Sequence, residues 1–249
     1  MSADFLLIDH SNTRTKLALG DCQQLHRRPR ARLPTREVSP AALERAVEGW
    51  DFAAVAIASV VPAQRSAFWE AFGAYPLHFV SHQSELQIAI DYPEPARIGA
   101  DRLANAEAAH QEEGAPCIAI DFGTAVTFDI LDARPAYVGG VIAPGLDLMT
   151  DYLHERTALL PQVELQSPSR AIGKSTEEAI CSGAVFGYRG LIREIVREIQ
   201  NELGLRQPCP LLATGGYARL LEPQLPEMDR ILPDLTLEGI RRIATLNLT

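Results

Sequence analysis

Leu7-Ile8-Asp9-His10-Ser11-Asn12-Thr13-Arg14-Thr15 is echoed later in the chain by Ala119-Ile120-Asp121-Phe122-Gly123-Thr124-Ala125-Val126-Thr127. In each copy an apolar run reads as a buried strand that stops at an Asp. It then passes small and hydroxyl- or amide-bearing residues and re-enters an alternating strand, Lys16–Leu19 in the first copy and Thr127–Leu131 in the second. Each copy therefore predicts a β-hairpin with a polar tip. A carboxylate, backbone N–H groups and Thr hydroxyls gathered at such a tip suit a phosphate or a hydrated cation, because both are hard-oxygen species. Turn geometry alone explains one such hairpin. The duplication is what points to two facing tips and a phosphoryl-transfer cleft.

Between and beyond the hairpins the pattern alternates strand and helix, which implies an α/β sheet in each half. Residues 40–49 (PAALERAVEG) read as a short amphipathic helix, Ala53–Val61 as a buried parallel strand ending at Pro62, and Leu77–Val80 as another after a helix around Phe68. Asp91–Ala100 (DYPEPARIGA) is too proline-rich for regular structure and leads into a helix near Asp101. After the second hairpin come a strand at Ala136–Ile142, helices at about 145–157 and 177–203, a strand at Pro210–Thr214 and a last helix at Leu235–Leu246. The expected domains are residues 1–115 and 116–249, with the final helix packing back on the first.

The hydrophobic fraction of 47% and charged fraction of 22% are those of a soluble globular protein. A net charge of −9 argues against a general nucleic-acid or anionic-membrane binder, which wants a concentrated basic surface. The only basic cluster, His26–Arg32, is interrupted by Pro29 and reads as a solvated loop. Cys22, Cys117, Cys181 and Cys209 show no CxxC pairing, and the histidines show no zinc spacing, so free thiols in a reducing compartment are expected. The early first strand and the lack of a long apolar run predict a cytoplasmic protein.

Several short motifs carry chemistry. Gly173-Lys174-Ser175 looks like the tail of a phosphate-binding GxxxxGK[ST] loop, but the first glycine position is Pro168, which offers no N–H. Ser175 with Glu178 instead reads as a capping box, leaving Thr176 at a helix N-terminus able to meet an anion. In Gly99-Ala100-Asp101-Arg102, Asp101 can cap a helix or accept a hydroxyl proton, and Arg102 can bind a carboxylate; together they suit a small hydroxy acid as phosphoryl acceptor. Gly139–Gly145 and Leu212-Ala213-Thr214-Gly215-Gly216 are strand ends opening into glycine turns that admit close backbone approach. Lys16 is the lysine placed to reach phosphates from the first tip.

Taken in order, Asp9–Lys16, Val60-Val61-Pro62, Tyr92 with Gly99–Arg102, Asp121–Ala125, Gly139–Leu146, Gly173–Thr176 and Thr214–Gly216 resemble the motifs of type III pantothenate kinase. This bacterial family starts coenzyme A synthesis and belongs to the actin-like, sugar-kinase and heat-shock-ATPase superfamily. The resemblance covers essentially the whole chain. It implies two actin-like (ribonuclease H-like) domains whose mixed sheets face a central cleft.

Asp9, His10, Ser11, Asn12, Thr13, Arg14, Thr15 and Lys16 look like the first phosphate loop for ATP, joined by Thr124. Tyr92, Gly99, Ala100, Asp101, Arg102 and Thr176 look like the pantothenate site, with Asp101 as proton acceptor. Asp121 looks like the ligand of a monovalent cation, K⁺ or NH₄⁺, while Mg²⁺ accompanies ATP. The family is typically a homodimer. One departure stands out: Ser11 replaces the family glycine. A glycine there permits positive φ and close backbone approach to phosphate oxygens, whereas a serine Cβ holds the phosphates away, so weaker ATP binding is expected of the serine. A kinase for another small hydroxy acid and a catalytically silent regulatory protein on the same fold remain the alternatives.

Overall fold

The computed structural model of the protein describes residues 3–205 and 207–249. Its elements run β1 (Ala3–His10), β2 (Arg14–Gly20), β3 (Leu25–Pro34), α1 (Pro40–Ala46), β4 (Phe52–Ser59), α2 (Arg65–Phe72), β5 (Leu77–Phe79), β6 (Ala89–Ile90) and α3 (Ala100–Glu113). There follow β7 (Cys117–Phe122), β8 (Ala125–Leu131), β9 (Ala136–Pro144), α4 (Leu146–Arg156), α5 (Thr176–Glu202), β10 (Leu211–Gly215), α6 (Ala218–Leu221), β11 (Arg230–Ile231) and α7 (Leu235–Leu248). The chain forms two compact units, one of residues 1–114, 135–138 and 234–249, the other of residues 115–134 and 139–233.

The first unit is built on a sheet ordered β3-β2-β1-β4-β5. β1 pairs antiparallel with β2 and parallel with β4, as its hairpin and the later crossover require. Side chains alternate across the sheet. Leu6 and Ile8 of β1, with Val55 and Ile57 of β4, therefore join a core with Leu43, Phe68 and Phe72 beneath α1 and α2. Phe5, Leu7 and Asp9 point to the other face, which α7 covers. Burying each such Leu, Ile or Phe contributes about 1.5–3 kcal/mol. Ser39 caps α1 by accepting from the Ala42 N–H at 3.3 Å, and Gly114 ends α3 with φ 77°. In α7, Gly239 meets the backbone of Ala104 in α3 so closely that any side chain there would collide with it.

The second sheet runs β11-β10-β7-β8-β9-β6. β7 pairs antiparallel with β8 and parallel with β10, the same choices as β1. Leaving β6 aside, the order β9-β8-β7-β10-β11 repeats β3-β2-β1-β4-β5 position for position. The repeated sequence thus heads a repeated topology. β6 adds to β9 through Ala89↔Ala136 and Ile90↔Tyr137, the stretch where β9 belongs to the first unit.

One expectation is corrected. The basic segment His26–Arg32 is not a loop but most of β3, paired antiparallel with β2. An edge strand draws its stability from the ladder on one side and needs no apolar pattern, so periodicity does not reveal it. Pro29 falls at the register break between Ala18↔Arg30 and Gly20↔Leu25, where a missing N–H costs least.

Candidate active site

The end of β1 concentrates charge. Asp9 is 2% exposed, yet both carboxylate oxygens are bound: Lys16 Nζ lies 2.8 Å from Oδ2, and Ser11 Oγ donates to Oδ1 at 2.6 Å. A buried carboxylate without such partners would be strongly destabilising. Asp9 and Lys16 face each other in register across the hairpin, so the sheet itself sets the pair.

The next residue points the opposite way. His10 is fully buried, its Nδ1 2.8 Å from Ser59 Oγ and its Nε2 2.9 Å from Gln64 Oε1. Gln64 Nε2 donates to Thr35 O at 3.1 Å, and Ser59 Oγ accepts from the Val61 N–H at 3.3 Å. These bonds assign the His10 proton to Nε2, with Nδ1 accepting from the Ser59 hydroxyl. Burial holds the His10 pKa below the ordinary histidine range, against the Gln64 bond and the Asp9 charge, which raise it. Thr35 Oγ1 donates to Ser11 O at 2.6 Å and lies 3.1 Å from Thr15 Oγ1.

His10 and Thr15, expected on the nucleotide, thus turn their side chains inward. The alternation that aims Asp9 and Lys16 at one face aims His10 and Thr15 at the other. They brace the loop from beneath, and Asn12, Thr13 and Arg14 form its exposed tip. Ser11 does not have the backbone that glycine would favour: among the described residues Pro135 alone has positive φ outside glycine.

On the same unit, Asp101 lies in the first turn of α3 and its Oδ1 accepts from the Arg102 N–H at 2.8 Å. Burial pushes the Asp101 carboxyl above the usual carboxylate range. The Arg102 N–H opposes this, and the charge of Asp9 reinforces it. A Cβ at Gly99 would stand 2.5 Å from Asp101 Oδ1, so the glycine makes room for the carboxylate. The Arg102 guanidinium lies 5.8 Å from the Tyr137 ring, and Tyr92 meets the same ring edge-on at 6.2 Å. Tyr137, which nothing in the strand pattern distinguishes, is the platform that gathers Tyr92 and Arg102.

In the second unit Asp121, the last residue but one of β7, lies in register with Thr127 and Thr214. Gly215 has φ +91°, and a Cβ there would come within 2.6 Å of Asp121 Oδ1 and the Phe122 backbone. The Gly145 N–H donates to Thr124 O at 3.1 Å, and a side chain at Gly145 would strike the carbonyls of Gly123 and Thr124. Both glycines therefore serve close approach around the second tip. Thr124 is exposed there. Ser175 caps α5, accepting from the Glu178 N–H at 3.2 Å while Glu178 Oε2 accepts from the Lys174 N–H at 2.7 Å, and Thr176 is exposed at the first helical position.

The family model for type III pantothenate kinase matches residues 5–198. The chain belongs to this family. The type III pantothenate kinase of Akkermansia muciniphila is 49% identical over 98% of this chain and 99% of its own. That of Methylacidiphilum infernorum is 46% identical over 97% of this chain and 88% of its own.

Among solved structures, a Baf family protein from Campylobacter jejuni superposes with TM-score 0.63 at 16% identity, covering 96% of each chain. The activator of 2-hydroxyisocaproyl-CoA dehydratase from Clostridium difficile, with bound ADPNP, gives 0.52 at 12% over 99% of this chain and 94% of its own. The ROK hexokinase of Thermus thermophilus gives 0.52 at 13% over 96% and 97%. These likenesses show the fold alone, the mixed α/β fold of actin-like kinases and ATPases. Asp9, Lys16, Tyr92, Asp101 and Arg102 belong to the first unit, while Asp121, Thr124 and Thr176 belong to the second.

Proposed function

We propose that this chain transfers the γ-phosphoryl group of ATP to the primary alcohol of pantothenate, giving 4′-phosphopantothenate and ADP, the first step of coenzyme A synthesis. The observation that carries the reading is the placement of Asp101 in the first turn of α3, its Oδ1 accepting from the Arg102 N–H at 2.8 Å beside Gly99, which makes room for it; burial and the charge of Asp9 both push its pKa up. A base poised above the usual carboxylate range takes a hydroxyl proton more readily than an ordinary Asp. As the alcohol oxygen bonds to the γ-phosphorus, its bond to the β,γ-bridging oxygen breaks. The alcohol proton passes to Asp101, and the electron pair leaves with ADP. Arg102 and Tyr92 hold the carboxylate and body of the acceptor, and Lys16 offsets charge on the phosphates, because positioning and electrostatics dominate such transfers.

On the second unit, Thr124 contacts the nucleotide and Thr176 the acceptor. Asp121, with neighbouring hydroxyl and carbonyl oxygens, is the hard-oxygen donor set that suits a K⁺ or NH₄⁺ ion. Mg²⁺ enters with ATP, held mainly by phosphates, and supplies further charge neutralisation. The kinase works as a homodimer in the cytoplasm. Exposed Leu148, Met149 and Tyr152 along α4 support the dimer, and the free thiols of all four cysteines support a reducing compartment.

ADP release by purified protein, measured with pantothenate present and omitted, tests the reaction. Release that ignores pantothenate would sink the proposal. Replacing K⁺ by Na⁺ or a bulky organic cation should slow turnover, and Asp121→Ala should abolish the difference between salts. Equal rates of the unsubstituted enzyme in all of them would remove the cation from Asp121.

A further inference from the structure

The concealed strand β3 carries a charged feature that the kinase reading leaves unused. Arg32 lies directly opposite Lys16, as Lys16 lies opposite Asp9. Residues directly opposite share a face of a sheet, so Asp9, Lys16 and Arg32 point the same way, with Arg14 two residues along β2 on that face. Asp101 is close enough to Asp9 to feel its charge. Arg32 therefore extends the row that begins with the buried Asp9–Lys16 pair.

Like charges directly opposite one another destabilise a sheet. Lys16 is neutralised by Asp9 at 2.8 Å, and Arg30, two residues before Arg32, is held by Asp234 at 2.6 Å. Among the described residues, no hydrogen bond or ion pair engages the guanidinium of Arg14 or of Arg32, in a chain whose net charge is −9. Arg36 is 85% exposed, and among the described residues its ion-pair partner is Glu37, at 3.7 Å. The three arginines line a cavity of about 580 Å³ together with Asn12 and Thr13 of the loop tip. Charged edge strands deter edge-to-edge association. Arg27, Arg28 and Arg30 already spread such charge along β3, whereas Arg32 stands opposite Lys16 and lines a cavity with Arg14 and Arg36 at the loop tip.

We propose that Arg32, with Arg14 and Arg36, forms an anion subsite that continues the first phosphate loop and takes the phosphate chain of the phosphoryl donor. The proposal rests on the kinase reading for the identity of the donor. Planar guanidinium forks bind phosphate oxygens two at a time, which a lysine cannot do.

The test is titration of inorganic tripolyphosphate into the unsubstituted protein and into the Arg32→Gln/Arg36→Gln variant, without acceptor. Both arginines are exposed, Arg32 on the edge strand and Arg36 in the turn just after it, and a thermal melt confirms that the variant folds. Loss of two charge-assisted contacts should weaken tripolyphosphate binding about tenfold or more and raise the ATP KM in step, with kcat and the pantothenate KM within about twofold. The salt dependence of the ATP KM should become shallower. Arg32→Lys should restore part of the affinity. Equal binding by both proteins, or tripolyphosphate and ATP binding together without competition, would overturn the subsite. If the kinase reading itself were wrong, no phosphorylated pantothenate would form, yet tripolyphosphate binding and its loss in the variant would still be seen.

Discussion

Asp101 sits where a helix dipole, a neighbouring N–H and burial compete, and burial prevails. Asp101→Asn should lower kcat by roughly 10²- to 10⁴-fold, the range for loss of a general base, about 3–5 kcal/mol of barrier. In the unsubstituted enzyme, kcat/KM should rise with pH through an acid limb above the usual carboxylate range; the Asn variant should lack that limb. Stability runs the other way. A raised folded-state pKa means the native state holds the proton more tightly than the unfolded chain, so this contribution is present at low pH and lost as pH climbs through the raised value. Asp101→Asn should therefore keep or raise Tm at neutral pH, and a markedly lower Tm there would contradict the burial argument. At Ser11 the residue has no positive φ, which removes one of the two grounds for expecting weak ATP binding, and its hydroxyl donates to Asp9 at 2.6 Å. Ser11→Gly loses that bond and loosens the loop, so the ATP KM should rise about two- to tenfold, in keeping with a lost hydrogen bond of about 0.5–1.5 kcal/mol. A lower KM would show instead that the serine crowds the nucleotide.

At the scale of elements, the first hairpin works because strand alternation separates two jobs. Asp9 and Lys16 share one face of the sheet as an ion pair, and His10 and Thr15 take the other, in a network with Ser59, Gln64 and Thr35. The sequence shows the hairpin but not this division, since a motif read as a string does not say which residues a neighbouring strand and loop will claim. Tyr137 was hidden for the same reason. β3 was hidden because an exposed edge strand has no hydrophobic period to read. The second hairpin carries its own strict requirement at Gly215, whose φ of +91° and contact with Asp121 leave no room for a Cβ. Gly215→Ala should cost about 1–3 kcal/mol in stability, as strained left-handed positions do, and should weaken the cation response along with it. Denaturant melts and rates in K⁺ and Na⁺ would check both; an alanine variant of unchanged midpoint would show that the turn can relax.

At the scale of the molecule, the first unit closes only with the last helix of the chain. Ile240, Ile243 and Ala244 of α7 are fully buried, and the Arg241 guanidinium donates to Cys22 O at 2.8 Å and is held by Glu238 at 2.6 Å. Gly239→Ala would force α7 away from Ala104 of α3 and should destabilise by about 1–3 kcal/mol, the usual cost of overpacking. An unchanged Tm would show that the helices separate freely. The sequence by itself determined the repeated hairpins, the α/β alternation, the capped helices and the family's order of motifs. All of these follow from local preferences and the period of buried side chains, which neighbouring residues encode. Only the tertiary structure decided which side chains of the first hairpin turn inward, that residues 135–138 join α7 in completing the first unit, and that Arg32 stands beside Lys16. Those facts depend on strand register and on contacts between residues far apart in the chain, which no local pattern contains.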